Sequence, residues 1–171
     1  MSGSSVLHRR ELVLGAALGG VAAAAPAFAQ ASKAGNAESV EALKLVLEAY
    51  EKAFSAHDMP GLLKLFAPDA ITIGTGAGEI WGGAAELTSA YKNFFALFDP
   101  GKQQFEPVFR DGHVLGDMAW LVSMSKVSLT KGAKTTAFDL NMSVVFEKIG
   151  GQWLIRLMHL SNVTGGQPAG K

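Results

Sequence analysis

Cysteine is absent from the 171-residue sequence, and histidine occurs only four times. Without cysteine the chain forms no disulfide, has no thiolate nucleophile and builds no cysteine-ligated metal site. The histidines are widely spaced and no carboxylate cluster accompanies them, whereas zinc sites need several ligands at short, regular spacings. The sequence therefore predicts neither a metal site nor a cofactor.

An excess of charge is also missing, because 15 Lys and Arg residues balance 15 Asp and Glu residues. A nucleic-acid partner would require a basic face, so we expect none. The glycines of residues 74–78 lack the Gly-x-Gly-x-x-Gly spacing, and no Gly-Lys-Ser/Thr follows them, so they predict a hairpin and not a phosphate loop. A Ser-His-Asp hydrolase is not expected either, since no Gly-x-Ser-x-Gly elbow is present.

The first 29 residues have the three parts of a secretory signal peptide. Arg9 and Arg10 precede a short apolar run over residues 12–25, and a small-x-small site at residues 27–29 follows. The pattern predicts cleavage near Ala29-Gln30 and a periplasmic or secreted protein that has no membrane segment in its mature form. The paired arginines favour twin-arginine export, with general secretion as the alternative.

The remaining chain divides into a linker over residues 30–35, one domain over residues 36–163 and a flexible tail over residues 164–171. About half of all residues are apolar (49%), which is enough for one packed core.

Three segments of the domain have the apolar spacing of amphipathic helices. The first begins at Asn36, a capping residue, and its apolar positions are Val40, Leu43, Leu47, Tyr50 and Phe54. A short second helix, capped by Asp58, is predicted to include Phe66 and to close at Pro68. The third spans residues 84–98.

Six further segments are predicted as strands, at residues 70–73, 80–81, 103–109, 114–129, 135–148 and 152–161. Turns at residues 110–112, 131–132 and 150–151 join the last four, and short turns between long strands indicate an antiparallel meander. The order α-α-β-β-α-β-β-β-β defines an α+β domain with three N-terminal helices on a strongly curved, mixed or antiparallel sheet. Because long strands twist, such a sheet leaves a tapered cavity beneath its helices.

Four short motifs follow one another along this domain. They are Ala53-Phe54 with His57-Asp58, the run Leu65-Phe66-Ala67-Pro68-Asp69-Ala70, Asp117-Met118-Ala119, and Gly150-Gly151-Gln152-Trp153 followed by His159-Leu160-Ser161. In this order they resemble the SnoaL-like branch of the nuclear transport factor 2 superfamily, which includes ketosteroid-isomerase-like proteins. The resemblance implies a cone-shaped fold, an apolar pocket and often a dimer through the sheet. It implies no single activity, because isomerases, cyclases, dehydratases and binding proteins share this fold.

The last strand combines a titratable group, a hydroxyl group and a long apolar sequence. Strict alternation places one set of side chains on the same face: Trp153, Ile155, Leu157, His159 and Ser161. In a partly dry pocket His159 could be a general base, or could hold a ligand carbonyl beside Ser161. The alternatives are a core histidine and a residue at a subunit interface.

The preceding strand offers a second set of candidates. Asp139, Asn141 and Ser143 share one face, and the apolar residues from Phe138 to Phe146 share the other. If the polar face lines the cavity, burial could make Asp139 an acid of raised pKa or a proton acceptor, and Asn141 a ligand contact. If it does not, these residues form a solvated or dimer-facing stripe.

Aromatic residues complete the candidate site. Tyr50 and Tyr91 are the only tyrosines, and both lie on helix faces that pack inward, where they contact a ligand or fill the core. Phe95 and Trp120 have the same two interpretations. His57-Asp58 could be an acid–base pair, although Asp58 as a helix cap explains this dipeptide more simply.

Three functions are compatible with these residues. The first is an exported protein that binds a small, mainly apolar molecule, without established catalysis. The second is an isomerase, dehydratase or cyclase that uses His159 or Asp139 as general base. The third is a structural module that forms a homodimer.

Overall fold

The computed structural model describes the backbone of residues 27–162 and the side chains of residues 40–162. The described residues form three helices, α1 (Ala27–Ser55), α2 (Met59–Leu63) and α3 (Gly83–Phe95). Six strands are β1 (Phe66–Ile73), β2 (Ile80–Gly82), β3 (Gln103–Leu115), β4 (Met118–Lys131), β5 (Lys134–Ile149) and β6 (Gln152–Asn162). Within these described residues, no helix combines the length and the apolar character needed to span a membrane. Most of the predicted signal peptide and the predicted tail lie outside the described residues.

The six strands form one mixed sheet in the order β2-β1-β6-β5-β4-β3. Strands β1 and β6 are parallel, and all other neighbours are antiparallel. Helices α1 and α3 pack on one side of the sheet, which we call the inner face. The opposite side is the outer face. The predicted α+β class and the predicted element order are confirmed.

Helix α1 packs on the sheet through side chains spaced three or four residues apart. Leu43 and Leu47 are fully buried, and Tyr50 and Ala53 are nearly so. The helix already begins at Ala27. The predicted start at Asn36 is therefore wrong, because this residue lies within the helix. The predicted division into a linker over residues 30–35 and a domain from residue 36 stays a prediction.

A sharp joint separates α1 from α2. His57 adopts the left-handed conformation, with φ of 57°, and this ends the first helix. The Asp58 carboxylate then accepts a hydrogen bond of 3.0 Å from the Gly61 amide and caps the second helix. The prediction of Asp58 as a cap is confirmed.

The second helix is shorter than predicted, since it ends at Leu63 and residues from Phe66 onwards belong to β1. Pro68 lies inside this strand and does not close a helix. The pairing of β1 with β6 shifts its register between Phe66 and Ile71. A proline is tolerated at such an irregularity, because its missing N–H removes no hydrogen bond from the ladder.

The predicted turn at residues 110–112 is wrong, because β3 continues to Leu115 and the hairpin turn is formed by Gly116 and Asp117. Gly116 has a φ of 61°, which favours glycine. Gly112 is needed for a different reason. A Cβ atom at this position would lie 2.8 Å from the carbonyl oxygen of Trp120 on β4. The glycine thus marks a close approach of two strands, not a change of direction.

A bulge in β6 determines which of its residues face inward. Ile155 pairs with Phe146 and Leu157 pairs with Val145, so Arg156 has no partner on β5. One extra residue reverses the alternation of faces. Ile155 faces inward before the bulge, and Met158 faces inward after it; both are fully buried.

The side chain of Arg156 stabilises this bulge from the outer face. Its Nε donates a hydrogen bond of 2.6 Å to Glu147 on β5, and its guanidinium also pairs with Asp69 on β1. Three strands are therefore joined at the point where the alternation changes.

Candidate functional site

A cavity of about 190 Å³ lies between the helices and the inner face of the sheet. Most of its lining side chains are apolar, and many are aromatic. The lining residues are Tyr50, Phe54, Thr72, Thr75, Tyr91, Phe94, Leu97, Phe98, Gln103, Phe105, Val127, Leu129, Phe138, Leu140, Met142, Leu160 and Asn162. No carboxylate, imidazole or cationic side chain of the described residues is among them.

Two tyrosines form a polar pair in this aromatic wall. The Tyr91 hydroxyl donates a hydrogen bond of 3.2 Å to the Tyr50 hydroxyl, and both side chains are buried. Burial raises the pKa of Tyr50 to about 12, although the hydrogen bond from Tyr91 opposes this rise. Burial also raises the pKa of Tyr91 well above its usual value. Both phenols therefore stay protonated at neutral pH, and Tyr50 keeps its own proton for a further hydrogen bond.

Two more polar side chains lie in the cavity wall without well-formed hydrogen bonds. Thr72 on β1 is 2% exposed and Gln103 on β3 is 8% exposed. Gln103 Oε1 has no hydrogen-bond partner. Thr72 Oγ1 lies near the Tyr91 hydroxyl and lowers its pKa, but it makes no hydrogen bond of full geometry. A buried polar atom without a partner costs about 1–3 kcal/mol, so these positions favour a polar guest over an empty wall.

Of the residues predicted to contact a ligand, Tyr50 and Tyr91 line the cavity. Phe95 lies behind the wall, where its ring stacks on His57 at a centroid distance of 4.4 Å. The tyrosines were found because both lie on the inward stripe of a helix. Ligand binding by either tyrosine stays a prediction.

The two predicted general bases are located outside the cavity. His159 is exposed on the outer face and pairs with Ser143, because the bulge at Arg156 reverses the faces of β6. Asp139 is exposed on the same face, since its neighbours Phe138 and Leu140 point inward. The structure thus has the alternative orientation that the sequence left open for both residues, and a role as general base for either one stays a prediction.

Three of the predicted ligand contacts also lie on the outer face. Asn141 is exposed and pairs with Ser161, which is half-buried. Trp120 is 42% exposed and alternates with the buried Leu121. From side-chain alternation alone, either face of these strands could point towards the helices. In the structure the apolar face points towards the helices, and the face with the polar residues and Trp120 points outward.

The sequence pattern does not predict several residues that line the cavity. The sequence indicates Gln103 only as the start of a strand. Its burial depends on the contact between α1 and β3, where Ser55 Oγ donates to the Gln103 carbonyl. Phe54 and Phe94 were visible as apolar helix positions, but that pattern does not distinguish a cavity wall from a filled core. Asn162 is inward-facing only because of the bulge.

Charged groups between the helices and the sheet are engaged in structural pairs. Arg110 on β3 pairs with Glu51 on α1 and donates from Nε to Ser123 Oγ at 3.4 Å. Within the described residues, no group of three potential metal ligands comes together. The cavity wall therefore supplies hydroxyl and amide groups, which can donate and accept hydrogen bonds.

Helices that cover a curved mixed sheet and enclose an apolar cavity define the class of NTF2-like cone-fold proteins. The family model of the SnoaL-like domain matches residues 43–165. The chain belongs to this family, as its sequence motifs predicted. A search of curated proteins found no match.

Solved structures with the same fold come from several bacteria. A protein from Novosphingobium aromaticivorans, described as NTF2-like with a cystatin-like fold, is 15% identical with a TM-score of 0.67 and covers 84% of this chain and 94% of its own. A putative dehydratase of the NTF2-like family from Streptomyces avermitilis is 19% identical with a TM-score of 0.67. The match covers 75% of this chain and 99% of that protein. An NTF2-like protein of unknown function from Pseudomonas putida is 20% identical with a TM-score of 0.63. The match covers 76% of this chain and 87% of that protein. At these identities the similarity shows the fold alone.

His57 is packed against the aromatic wall from behind. Its ring stacks on Phe95 and meets Phe98 edge-on at 4.5 Å, and its Nε2 atom is buried without a hydrogen-bond partner. Burial lowers the pKa of His57, the nearby Lys131 ammonium lowers it further, and Asp99 opposes both. The folded protein therefore prefers a neutral imidazole at this joint.

We predict that the free energy of unfolding falls as the pH drops below about 6.5, where the unfolded chain takes up this proton more readily than the folded protein. Urea unfolding at about pH 7.5 and at about pH 5.5 measures the effect. The variant His57→Asn cannot take up the proton and tolerates a positive φ, so it should lose less stability across this range. An equal loss in both proteins would contradict the assignment. The pKa of Asp99 is lowered by the Gly132 amide, so its own contribution disappears only at lower pH.

Proposed function

We propose that this protein binds a small, uncharged and mainly apolar molecule in the cavity between its helices and the inner face of its sheet. The observation that carries the proposal is a cavity of about 190 Å³, lined by apolar and aromatic side chains, that also contains buried polar atoms without partners. An apolar wall favours transfer of a guest from water. The few polar groups give the guest an orientation.

The size of the cavity limits the size of the guest. An engineered protein cavity of about 150 Å³ binds benzene, so a volume of about 190 Å³ accommodates one six-membered ring with small substituents. Phe54, Phe94 and Phe98 contribute rings to the wall, and aromatic rings favour edge-to-face contact with a planar guest.

The polar groups of the wall support binding more than proton transfer. At neutral pH both tyrosine hydroxyls are protonated, because burial raises their pKa values, and they act as hydrogen-bond donors. Gln103 and Asn162 are amides and do not titrate. A base among the described residues would have to come from outside this wall, since His159 and Asp139 lie on the other side of the sheet.

We predict that toluene binds saturably to the protein and that Met142→Trp weakens this binding. Met142 is 5% exposed and lines the cavity, so the larger indole ring occupies the space of the guest. The matched control is Met124→Trp, because Met124 is 42% exposed on the outer face of the neighbouring strand. Isothermal titration calorimetry should give a toluene affinity at least about tenfold weaker for Met142→Trp than for the control.

Absence of saturable toluene binding to the unsubstituted protein would reject the proposal. If Met142→Trp does not fold, Val127→Phe tests the same space from β4, since Val127 also lines the cavity.

We also propose that the protein is exported. The support is the sequence alone, in which Arg9-Arg10, a short apolar run and the small-x-small site of positions 27–29 follow one another.

Expression of the full chain in a Gram-negative bacterium tests this proposal. The periplasmic fraction should contain a protein whose mass corresponds to a chain that begins at Gln30. Substituting Arg9→Lys and Arg10→Lys together should stop export by the twin-arginine route, whereas general secretion would continue. Recovery of only the uncleaved chain from the cytoplasm would reject export by either route.

Finally, we propose that the outer face of the sheet pairs two copies of the chain. Four apolar side chains on β3 and β4, which we call the outer apolar group, are 42–52% exposed: Phe109, Met118, Trp120 and Met124. Phe109 is directly opposite Met124 in the sheet, so the group is contiguous. Contiguous exposed apolar surface is typical of protein interfaces.

Trp120→Lys should convert a dimer into a monomer, because a cation in the centre of the outer apolar group would be buried without a partner. Sedimentation equilibrium at micromolar concentration measures this change. The control is Leu45→Lys, since Leu45 is 59% exposed on α1, on the opposite side of the molecule. An unsubstituted protein that is monomeric under these conditions would contradict the proposal.

A further inference from the structure

Three groups in the cavity wall have unused capacity for hydrogen bonds. Tyr50 accepts from Tyr91 and keeps its own proton, and Gln103 Oε1 is buried without a partner. Thr72 Oγ1 approaches only the Tyr91 hydroxyl, with which it makes no hydrogen bond of full geometry. Thr72 and Gln103 are both more than nine-tenths buried, and both line the same cavity. A guest that supplies their missing partners removes the cost of leaving them unpaired.

The unused groups lie on two different walls. Thr72 is on β1, and Tyr50 is close to that wall, since it contacts Phe66 of β1 and Tyr91 of α3. Gln103 is on β3 at the far end of the sheet order, separated from β1 by β6, β5 and β4. Between them the lining is mostly apolar, with Val127, Leu140 and Met142 among its residues, and Asn162 of β6 adds one amide. The wall thus carries its polar groups on separate elements, with a mostly apolar middle.

The polar groups also differ in what they offer. Tyr50 is a donor, so a carbonyl or hydroxyl oxygen satisfies it. Gln103 has an unpaired acceptor, its amide oxygen. A hydroxyl group can pair with either the oxygen or the NH₂ group of an amide, because a hydroxyl both donates and accepts hydrogen bonds. No charged side chain of the described residues lines the cavity to stabilise an ionised guest.

We propose that the guest is an uncharged, single-ring compound that carries a hydroxyl group on one side of the ring and a hydroxyl or carbonyl group on the opposite side. The inference rests on the proposed function, because it assigns a chemical class to the ligand of the same cavity. The hydroxyl group pairs with Gln103, the second oxygen accepts from Tyr50, and the ring contacts the apolar middle.

Three probes of nearly equal size and shape test the class. They are p-xylene, p-cresol and hydroquinone, which carry no, one and two hydroxyl groups on the same ring. Isothermal titration of the full chain under nitrogen gives the affinity of each. We expect hydroquinone to bind most tightly and p-xylene most weakly, with at least about a tenfold difference between them. A cavity that recognises only apolar surface would give the reverse order.

Two variants assign the preference to named groups. Tyr50→Phe and Gln103→Leu each remove one polar group at little change in volume, so each should reduce the advantage of hydroquinone over p-xylene, and together they should abolish it. His159→Ala is the matched control on the outer face, and it should leave the order unchanged. Far-ultraviolet circular dichroism checks that each variant is folded.

The outcomes separate this inference from the function on which it rests. If p-xylene binds as tightly as hydroquinone or more tightly, the protein binds apolar molecules and the proposed class is wrong. If none of the three probes binds, both proposals are rejected. If a variant does not fold, the order of the three probes on the unsubstituted protein still decides the question. An unchanged order in the folded double variant would also overturn the inference.

Discussion

The bulge at Arg156 decides which side chains of the last strand face the helices. Before the bulge Ile155 points inward, and after it Met158, Leu160 and Asn162 do. The arginine is tied to Glu147 and Asp69, so the irregular position is joined to both neighbouring strands. A shift of one residue moves every following side chain to the other face of the sheet. The bulge therefore determines which residues of β6 belong to the cavity wall. It brings Leu160 into the cavity and leaves His159 on the outer face.

A second constraint is the unfavourable free energy of leaving a cavity inside the domain. Packed interiors leave few voids, since an empty space loses dispersion contacts and leaves polar atoms unpaired. This wall nevertheless includes Thr72 and Gln103 with unpaired atoms, and the two tyrosines that share one hydrogen bond. Rings of Phe54, Phe94 and Phe98 support the wall through edge-on and tilted contacts with one another and with Tyr91. A site that retains such costs in a small domain is typical of a place where a guest supplies the missing contacts.

Charge is distributed in a way that agrees with an uncharged guest. Arg110 and Arg156 are each paired with carboxylates, one between α1 and the sheet and the other on the outer face. The cavity wall contains only neutral groups among its described residues, and burial keeps both tyrosines protonated. The protein thus separates its ion pairs, which join elements of the fold, from its neutral hydrogen-bonding groups, which are available to a ligand. Family membership alone could not provide this distinction, because the same fold carries many activities.

The sequence by itself determined the class of fold, the order of its elements and the family. Apolar spacing identified α1 and α3, Asp58 was recognised as a cap, and the glycines at positions 132, 150 and 151 located the last two turns, because these signals are local. It also identified Tyr50 and Tyr91, since an inward helical stripe can be read without knowledge of the neighbours. Only the tertiary structure decided which face of each strand lines the cavity. Alternation gives two equivalent faces, and the choice between them depends on where the helices pack and on one extra residue at Arg156. For the same reason Gln103 and Thr72 were missed: their burial arises from contacts between distant segments, which no local pattern records.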